Sequence, residues 1–220
     1  MSFHRTLIPS LALALLVHLA GALHVPAQED VDGAPANAVA FFDQAQDLHE
    51  KGKFDEAIKL YNKAIGSVAE FPEAEYQRGD AYLSLGNIEE SEKSIRLAVA
   101  HRADWSLALA KLGEILVRRH SLASPTDAVA IRAEASDVLK RAILSDTGSF
   151  PAYAALVDLQ LGSNETDSVL RTTLASVKRL TDGKSKVPAS IWSARAALED
   201  RLKIRVASRV SIAAALTTDP

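Results

Sequence analysis

The chain contains no cysteine among its 220 residues. This absence excludes disulfides, thiolate metal sites, cysteine nucleophiles and a lipid-modified N-terminal cysteine. Aromatic residues are also scarce, at 5% of a sequence that is 48% hydrophobic. Alanine and leucine supply much of the apolar content, which suits helices and leaves few aromatic anchors for a β core. The composition therefore favours an all-α protein.

An excess of charge of one sign is missing too. The chain has 25 basic and 28 acidic residues, a formal net charge of −3 and no basic run. Because a nucleic-acid-binding domain needs a basic patch or stripe, we expect no nucleic acid partner and predict a protein or peptide partner instead.

The sequence lacks every common catalytic or nucleotide-binding signature. It has no HExxH, CxxC, GxSxG, Walker or GxGxxG pattern. We therefore expect no enzyme activity, no catalytic residues, no metal and no cofactor.

A small residue recurs at a fixed interval of 34 residues, at Ala45, Gly79 and Gly113, each inside a helical pattern. A self-similarity of this length is typical of stacked helix-turn-helix units. Gly52 and Gly86 share the same offset and are predicted to end the first helix of two units, in the left-handed conformation that glycine adopts easily. Other residues match at corresponding positions: large apolar residues in the first helices (Leu48, Tyr82, Leu116) and small ones in the second (Ala57, Ala64, Ser91, Ala98, Ala135, Ala142).

With these small and large residues at these positions, the chain resembles the tetratricopeptide repeat family over residues 38–104 and, more loosely, to about residue 181. The resemblance implies an all-α, TPR-like α-solenoid of about three to four helical hairpins with a C-terminal capping helix. We assign residues 38–181 to the repeat domain, residues 182–187 to a linker turn, and residues 188–220 to the capping helix and a tail.

The third unit is longer than the period allows by ten residues, judged from the interval between Ala98 and Ala142. Ser124 and Pro125 predict a helix start after a loop over residues 120–123, since serine caps helices and proline suits the first helical position. The insertion either packs on the edge of the array or contacts a partner, and the sequence leaves both open.

The N-terminus has the pattern of a secretory signal peptide over residues 1–27. One positive charge at Arg5 precedes an apolar stretch over residues 7–25, and cleavage fits after Ala22 or, as we favour, after Ala27. Residues 28–37 would then form a polar linker. The alternative is an uncleaved anchor, because the 19 residues from Leu7 to Val25, apolar apart from Ser10, His18 and His24, approach the length that spans a bilayer. Either interpretation predicts an extracytoplasmic protein, periplasmic or secreted. Membrane contact is expected only if the segment is uncleaved, through an anchor over residues 7–25.

The resemblance also implies a binding groove, because in this family the first helices line the concave side of the solenoid. Acidic side chains at Asp80 and Glu114 predict a groove for basic or neutral peptides, without the basic and amide clamp of co-chaperone members. Alternatively, the next hairpin partly buries Phe42 and Tyr76. The predicted groove residues are Phe42, Gln46, His49, Tyr76, Asp80, Leu83, Ala110, Glu114 and Val117.

These observations predict a non-catalytic extracytoplasmic scaffold that binds a segment of a partner protein in its groove. One alternative is a structural subunit of an envelope-associated complex that uses its convex face or C-terminal helix. Another is an enzyme without a recognisable motif. The oligomeric state stays open.

Overall fold

The computed structural model describes residues 36–218, which contain ten α-helices and no strand. This confirms the predicted all-α, TPR-like solenoid. The helices are α1 (Ala36–Glu50), α2 (Phe54–Gly66), α3 (Pro72–Ser84), α4 (Ile88–His101), α5 (Ser106–Leu122), α6 (Pro125–Ser145), α7 (Phe150–Gly162), α8 (Asp167–Thr181), α9 (Ala189–Arg201) and α10 (Arg205–Thr217).

Consecutive helices form hairpins that stack in chain order. α1 packs on α2, α3 on α4, α5 on α6 and α9 on α10, and each second helix also contacts the first helix of the next hairpin. The residues predicted as one capping helix and a tail form two helices, α9 and α10, so the described chain ends in a further hairpin. Glu199, fully buried, joins them by accepting hydrogen bonds from Arg195 (2.9 Å) and from Ser211 of α10 (2.7 Å).

The repeated small residues lie where two helices of a hairpin cross most closely. A Cβ atom at Gly79 of α3 would lie 2.6 Å from Cδ1 of Ile95 in α4, and one at Gly113 of α5 would overlap Leu139 in α6. Real Cβ atoms do not approach side chains so closely, so a larger residue here would require Ile95 or Leu139 to shift, whereas the first hairpin accommodates alanine at the equivalent Ala45. Gly52 and Gly86 adopt φ values of 71° and 77°, which confirms the predicted helix ends.

The inserted residues lengthen the third hairpin instead of forming a loop. α5 has 17 residues and α6 has 21, against 13 and 14 in the preceding hairpin. The predicted start of α6 is confirmed, because the backbone N–H of Asp127 donates to Oγ of Ser124 and Pro125 is the first helical residue. The prediction of a loop over residues 120–123 is wrong. α5 continues to Leu122, and residues 123–124 form the whole connection between α5 and α6.

The fourth hairpin does not close like the others. Val157 of α7 lies 44 residues after Gly113, the repeat period plus the insertion, so a β-branched residue replaces the small one. The facing helix α8 presents Leu170 and Val177 where earlier second helices present alanine or serine. These larger side chains hold α8 away from α7, and α8 packs mainly on α9.

The N-terminal predictions lie almost entirely outside the described residues. The signal peptide or anchor over residues 1–27 falls outside them, as does most of the linker over residues 28–37, and both stay predictions. α1 begins at Ala36, two residues before the predicted start of the repeat domain. None of the helices within residues 36–218 combines the length and apolar character needed to cross a bilayer.

Replacing Gly113 by valine should lower the free energy of unfolding by about 1–3 kcal/mol, because the added side chain overpacks the contact with Leu139. Urea unfolding followed by circular dichroism measures the loss. The matched control is Gly66→Val at the end of α2, where an added Cβ meets nothing within 4 Å. An equal loss in both variants would contradict the role of the close crossing at Gly113.

Candidate functional site

The nine predicted groove residues lie on three first helices that follow one another in the stack. α1 carries Phe42, Gln46 and His49; α3 carries Tyr76, Asp80 and Leu83; α5 carries Ala110, Glu114 and Val117. We call these nine residues the first-helix face. Side chains four and seven positions apart on a helix share one side of it, so each triplet forms a stripe.

Two members of the first-helix face lie in the packing between repeats. Tyr76 is 9% exposed, and its ring centroid lies 5.0 Å from that of Trp105, just before α5. Ala110 is 1% exposed. Phe42 is half-buried, with its ring 5.1 Å from Phe71, the residue before α3. Tyr76 is therefore buried by the next hairpin, as the alternative interpretation predicts, whereas Phe42 remains partly accessible.

A chain of ion pairs crosses the face from α1 to α5. Nε2 of His49 lies 3.5 Å from Oδ2 of Asp80, and Nζ of Lys111 lies 2.9 Å from Oδ1 of Asp80. Nζ of Lys111 also lies 3.3 Å from Oε2 of Glu114, which pairs with Arg118 at 3.1 Å. The chain ties three hairpins together and neutralises both acids of the face, so the face is less acidic than Asp80 and Glu114 alone predict.

Lys111 is the residue that the sequence reasoning missed. Burial alone would lower the pKa of its ammonium, but the hydrogen bond to Asp80 and the charges of Asp80 and Glu114 outweigh burial and raise that pKa. Lys111 stands three residues before Glu114, a spacing at which opposite charges meet on a helix. That signal was present in the sequence, whereas the contact with Asp80 of α3 required the stacking of the helices.

His49 is held from two sides. Its Nδ1 lies 3.3 Å from the hydroxyl of Tyr61 in α2, and its Nε2 faces Asp80. Burial raises the pKa of Tyr61, with a further contribution from the charges of Asp80 and Glu50. Tyr61 therefore stays protonated, and His49 is in contact with a neutral hydroxyl on one side and with the carboxylate of Asp80 on the other.

The accessible part of the face contains both apolar and polar groups. Phe42, Leu83 and Val117 are half-buried, with Leu83 and Val117 at the edge of the core that α3–α7 share. Gln46 adds a half-buried amide on α1. An arrangement of this kind can bind a segment of mixed polar and apolar character.

The side chains that could ligate a metal ion are not clustered in the described part of the chain. Within residues 36–218 no group of three or more histidine, aspartate or glutamate side chains could hold a metal ion. His101 pairs with the buried Glu75 at 2.8 Å, and Nδ1 of His120 lies 3.1 Å from the carbonyl oxygen of Ala128. Both histidines therefore serve packing contacts between helices.

Lys111→Met should lower the free energy of unfolding by about 1–2 kcal/mol at neutral pH, since it removes a partly buried ammonium bonded to Asp80. The pKa of Lys111 is raised in the folded state. The stabilisation that its charge gives to the folded state is therefore fully present below the ordinary lysine pKa and is lost as the pH rises through the raised pKa. Urea unfolding across this alkaline range measures the difference from wild type, which should shrink. The control is Lys59→Met on the exposed side of α2. A difference that does not change with pH would assign the effect to packing of the lysine stem.

Two family models match the chain. Residues 45–86 match the model for the TPR repeat, and residues 73–100 match a second model, for the tetratricopeptide repeat. Among curated proteins none matches the sequence.

Solved structures resemble this chain over most of its length. A thermophilic TPR protein of Thermus thermophilus matches at 21% identity over 83% of this chain and 92% of its own, with a TM-score of 0.66. MamA from Desulfovibrio magneticus matches at 15% identity over 83% and 95%, with a TM-score of 0.61. YrrB, a TPR protein with an unusual peptide-binding site, matches at 17% identity over 81% and 84%, with a TM-score of 0.58.

At these low sequence identities, the similarity to solved structures is evidence for the fold alone. The family models identify the repeats within residues 45–100. These residues lie on the helices in which the 34-residue period is most regular. Residues 45–100 are thus tetratricopeptide repeats, within a chain that folds as a TPR-like solenoid.

Proposed function

We propose that this protein is a non-catalytic, extracytoplasmic scaffold that binds an extended or helical segment of a partner protein along the first-helix face. The repeats and the fold support an interaction role, and the similar structure of YrrB is described by its peptide-binding site. Function in proteins of shared fold depends on the site, so the proposal rests on the face itself.

The observation that carries the proposal is the ion-pair chain from His49 to Glu114, which fixes α1, α3 and α5 relative to one another. A surface fixed before binding loses little conformational entropy on binding, which favours affinity. Beside the chain lie partly exposed apolar groups, Phe42 on α1 and Leu83 on α3. The partner segment expected here has apolar side chains and little net charge.

A photo-reactive amino acid placed at Gln46 should crosslink to the partner in cells, because Gln46 lies on the accessible part of the first-helix face. The same label at Lys59, exposed on the second helix α2, is the matched control and should not crosslink. Mass spectrometry identifies the crosslinked peptide. Adding Phe42→Ala should weaken the crosslink from Gln46. Equal crosslinking from Gln46 and Lys59 would contradict binding along this face.

The extracytoplasmic part of the proposal is supported by the charge and apolar pattern of residues 1–27. We expect the mature chain to begin at Gln28, and intact-mass measurement of the protein purified from its host determines this. Ala27→Arg places a large charged residue next to the cleavage site and should leave the chain unprocessed at that bond. A wild-type chain that keeps residues 1–27 and partitions with membranes would instead support the anchor.

One specific observation favours the second candidate, a subunit of a larger complex. The terminal helix α10 exposes Val206, Val210, Ile212 and Leu216. Exposed apolar side chains gathered on one helix are typical of an assembly surface. Loss of co-purifying subunits on Val210→Ser and Leu216→Ser, with crosslinking from Gln46 absent, would favour this candidate over the first.

A further inference from the structure

The separation of α8 from α7 leaves an open groove between α6 and α8, with α7 as its floor. The groove has a volume of about 480 Å³. Ile143 and Leu144 of α6 line one side, Tyr153 and Leu156 of α7 line the floor, and Val169 of α8 lines the other side. We call it the α6–α8 groove. It arises directly from the large side chains that replace alanine and serine on α8.

The walls of the α6–α8 groove expose apolar surface to solvent. Leu144 is 81% exposed and Val169 is 38% exposed. The volume lies within the range of ordinary ligand pockets, and the groove is open along α6 and α8. An amphipathic helix laid in such a groove inserts the side chains of its apolar face, a common mode of peptide recognition.

A polar group on the floor lacks a partner among the described residues. Gln160 of α7 is 8% exposed, lines the groove, and its Oε1 accepts no hydrogen bond from residues 36–218. An unpaired buried amide oxygen costs about 1–3 kcal/mol, and a bound hydrogen-bond donor would recover that cost. The groove therefore fits an occupant with a donor among its apolar groups.

The charged residues around the groove indicate the sign of the charge expected on the partner. Among the described residues that line it, Lys140 alone is charged at neutral pH. Past Lys140 the groove continues into a more polar cleft lined by Arg132, Asp137 and Glu165. An occupant matched to this arrangement is apolar beside Leu144 and carries an acidic residue near Lys140.

We propose that the α6–α8 groove binds an amphipathic helical segment of a second protein. Its apolar side chains lie between Leu144 and Val169, an acidic side chain pairs with Lys140, and a hydrogen-bond donor reaches the amide of Gln160. This site lies on the side of the second helices and is independent of the first-helix face, so the protein could hold two partner segments at once.

The test uses two synthetic helical peptides of about 18 residues, roughly 27 Å long, that differ at one position. Each has a leucine and alanine face with one serine in it, and carries either glutamate or lysine at the end of that face. Fluorescence anisotropy with the full chain should show the glutamate peptide binding about two- to fivefold more tightly, the contribution of an exposed ion pair. Lys140→Glu should reverse this preference.

Variants of the walls test the apolar contact. The double variant Leu144→Gln with Val169→Gln should lower the affinity for the glutamate peptide by about tenfold or more, because two apolar contacts are lost. Both side chains are exposed, so the double variant should unfold at the wild-type urea concentration. The matched control, Leu107→Gln on α5, replaces an exposed leucine outside the groove and should leave binding unchanged. Phe42→Ala should not affect this peptide, which separates the site from the first-helix face.

Three outcomes would overturn the proposal. The first is no saturable binding of either peptide, or equal binding of both. The second is binding of phosphatidylglycerol vesicles, but of neither peptide, that depends on Leu144 and Val169, which would assign the groove to lipid. The third is a dimer in sedimentation equilibrium that the double variant abolishes, which would assign it to a second copy of this chain.

Discussion

The close crossing of paired helices is the constraint on which the rest of the structure depends. At Gly79 and Gly113 side-chain atoms of the opposite helix, from Ile95 and Leu139, occupy the space of a Cβ atom, so the hairpin closes without rearrangement when that atom is absent. Closure at this distance sets the spacing of successive first helices. That spacing brings His49, Asp80 and Lys111 within ion-pair distance. The surface chemistry of the first-helix face thus follows from a steric condition in the core.

The same condition explains the irregular fourth hairpin. Where Val157, Leu170 and Val177 stand in place of small residues, the helices cannot approach as closely, and α8 makes its main contacts with α9. The resulting α6–α8 groove owes its apolar surface to residues such as Leu144 of α6, Leu156 of α7 and Val169 of α8, and hydroxyl residues of α8 complete its lining. One departure from the repeat pattern therefore gives both a change in stacking and a second candidate site.

Much of the fold could be predicted from the sequence, because a 34-residue period and its small residues report directly on helix pairing. The start of α6 at Pro125 was also predictable from local capping chemistry. Burial of Tyr76 by the next hairpin was one of two alternatives left open by the sequence, since it depends on Trp105 from a different repeat. The pairing of Lys111 with Asp80 likewise needed the stacked geometry. Local signals thus predicted the helices, whereas contacts between repeats decided which residues of the candidate site are accessible.

The attachment of α8 to α9 affects how the solenoid responds to heat or force. In a stacked array each hairpin is stabilised by its own closure and by its neighbours. Here α9 packs on both α7 and α8, and the buried link from Glu199 to Ser211 joins α9 to α10. Helices α7–α10 should therefore open together as one cooperative unit that contains two hairpins. The smallest unit of unfolding at this end therefore differs from the smallest unit of sequence repetition.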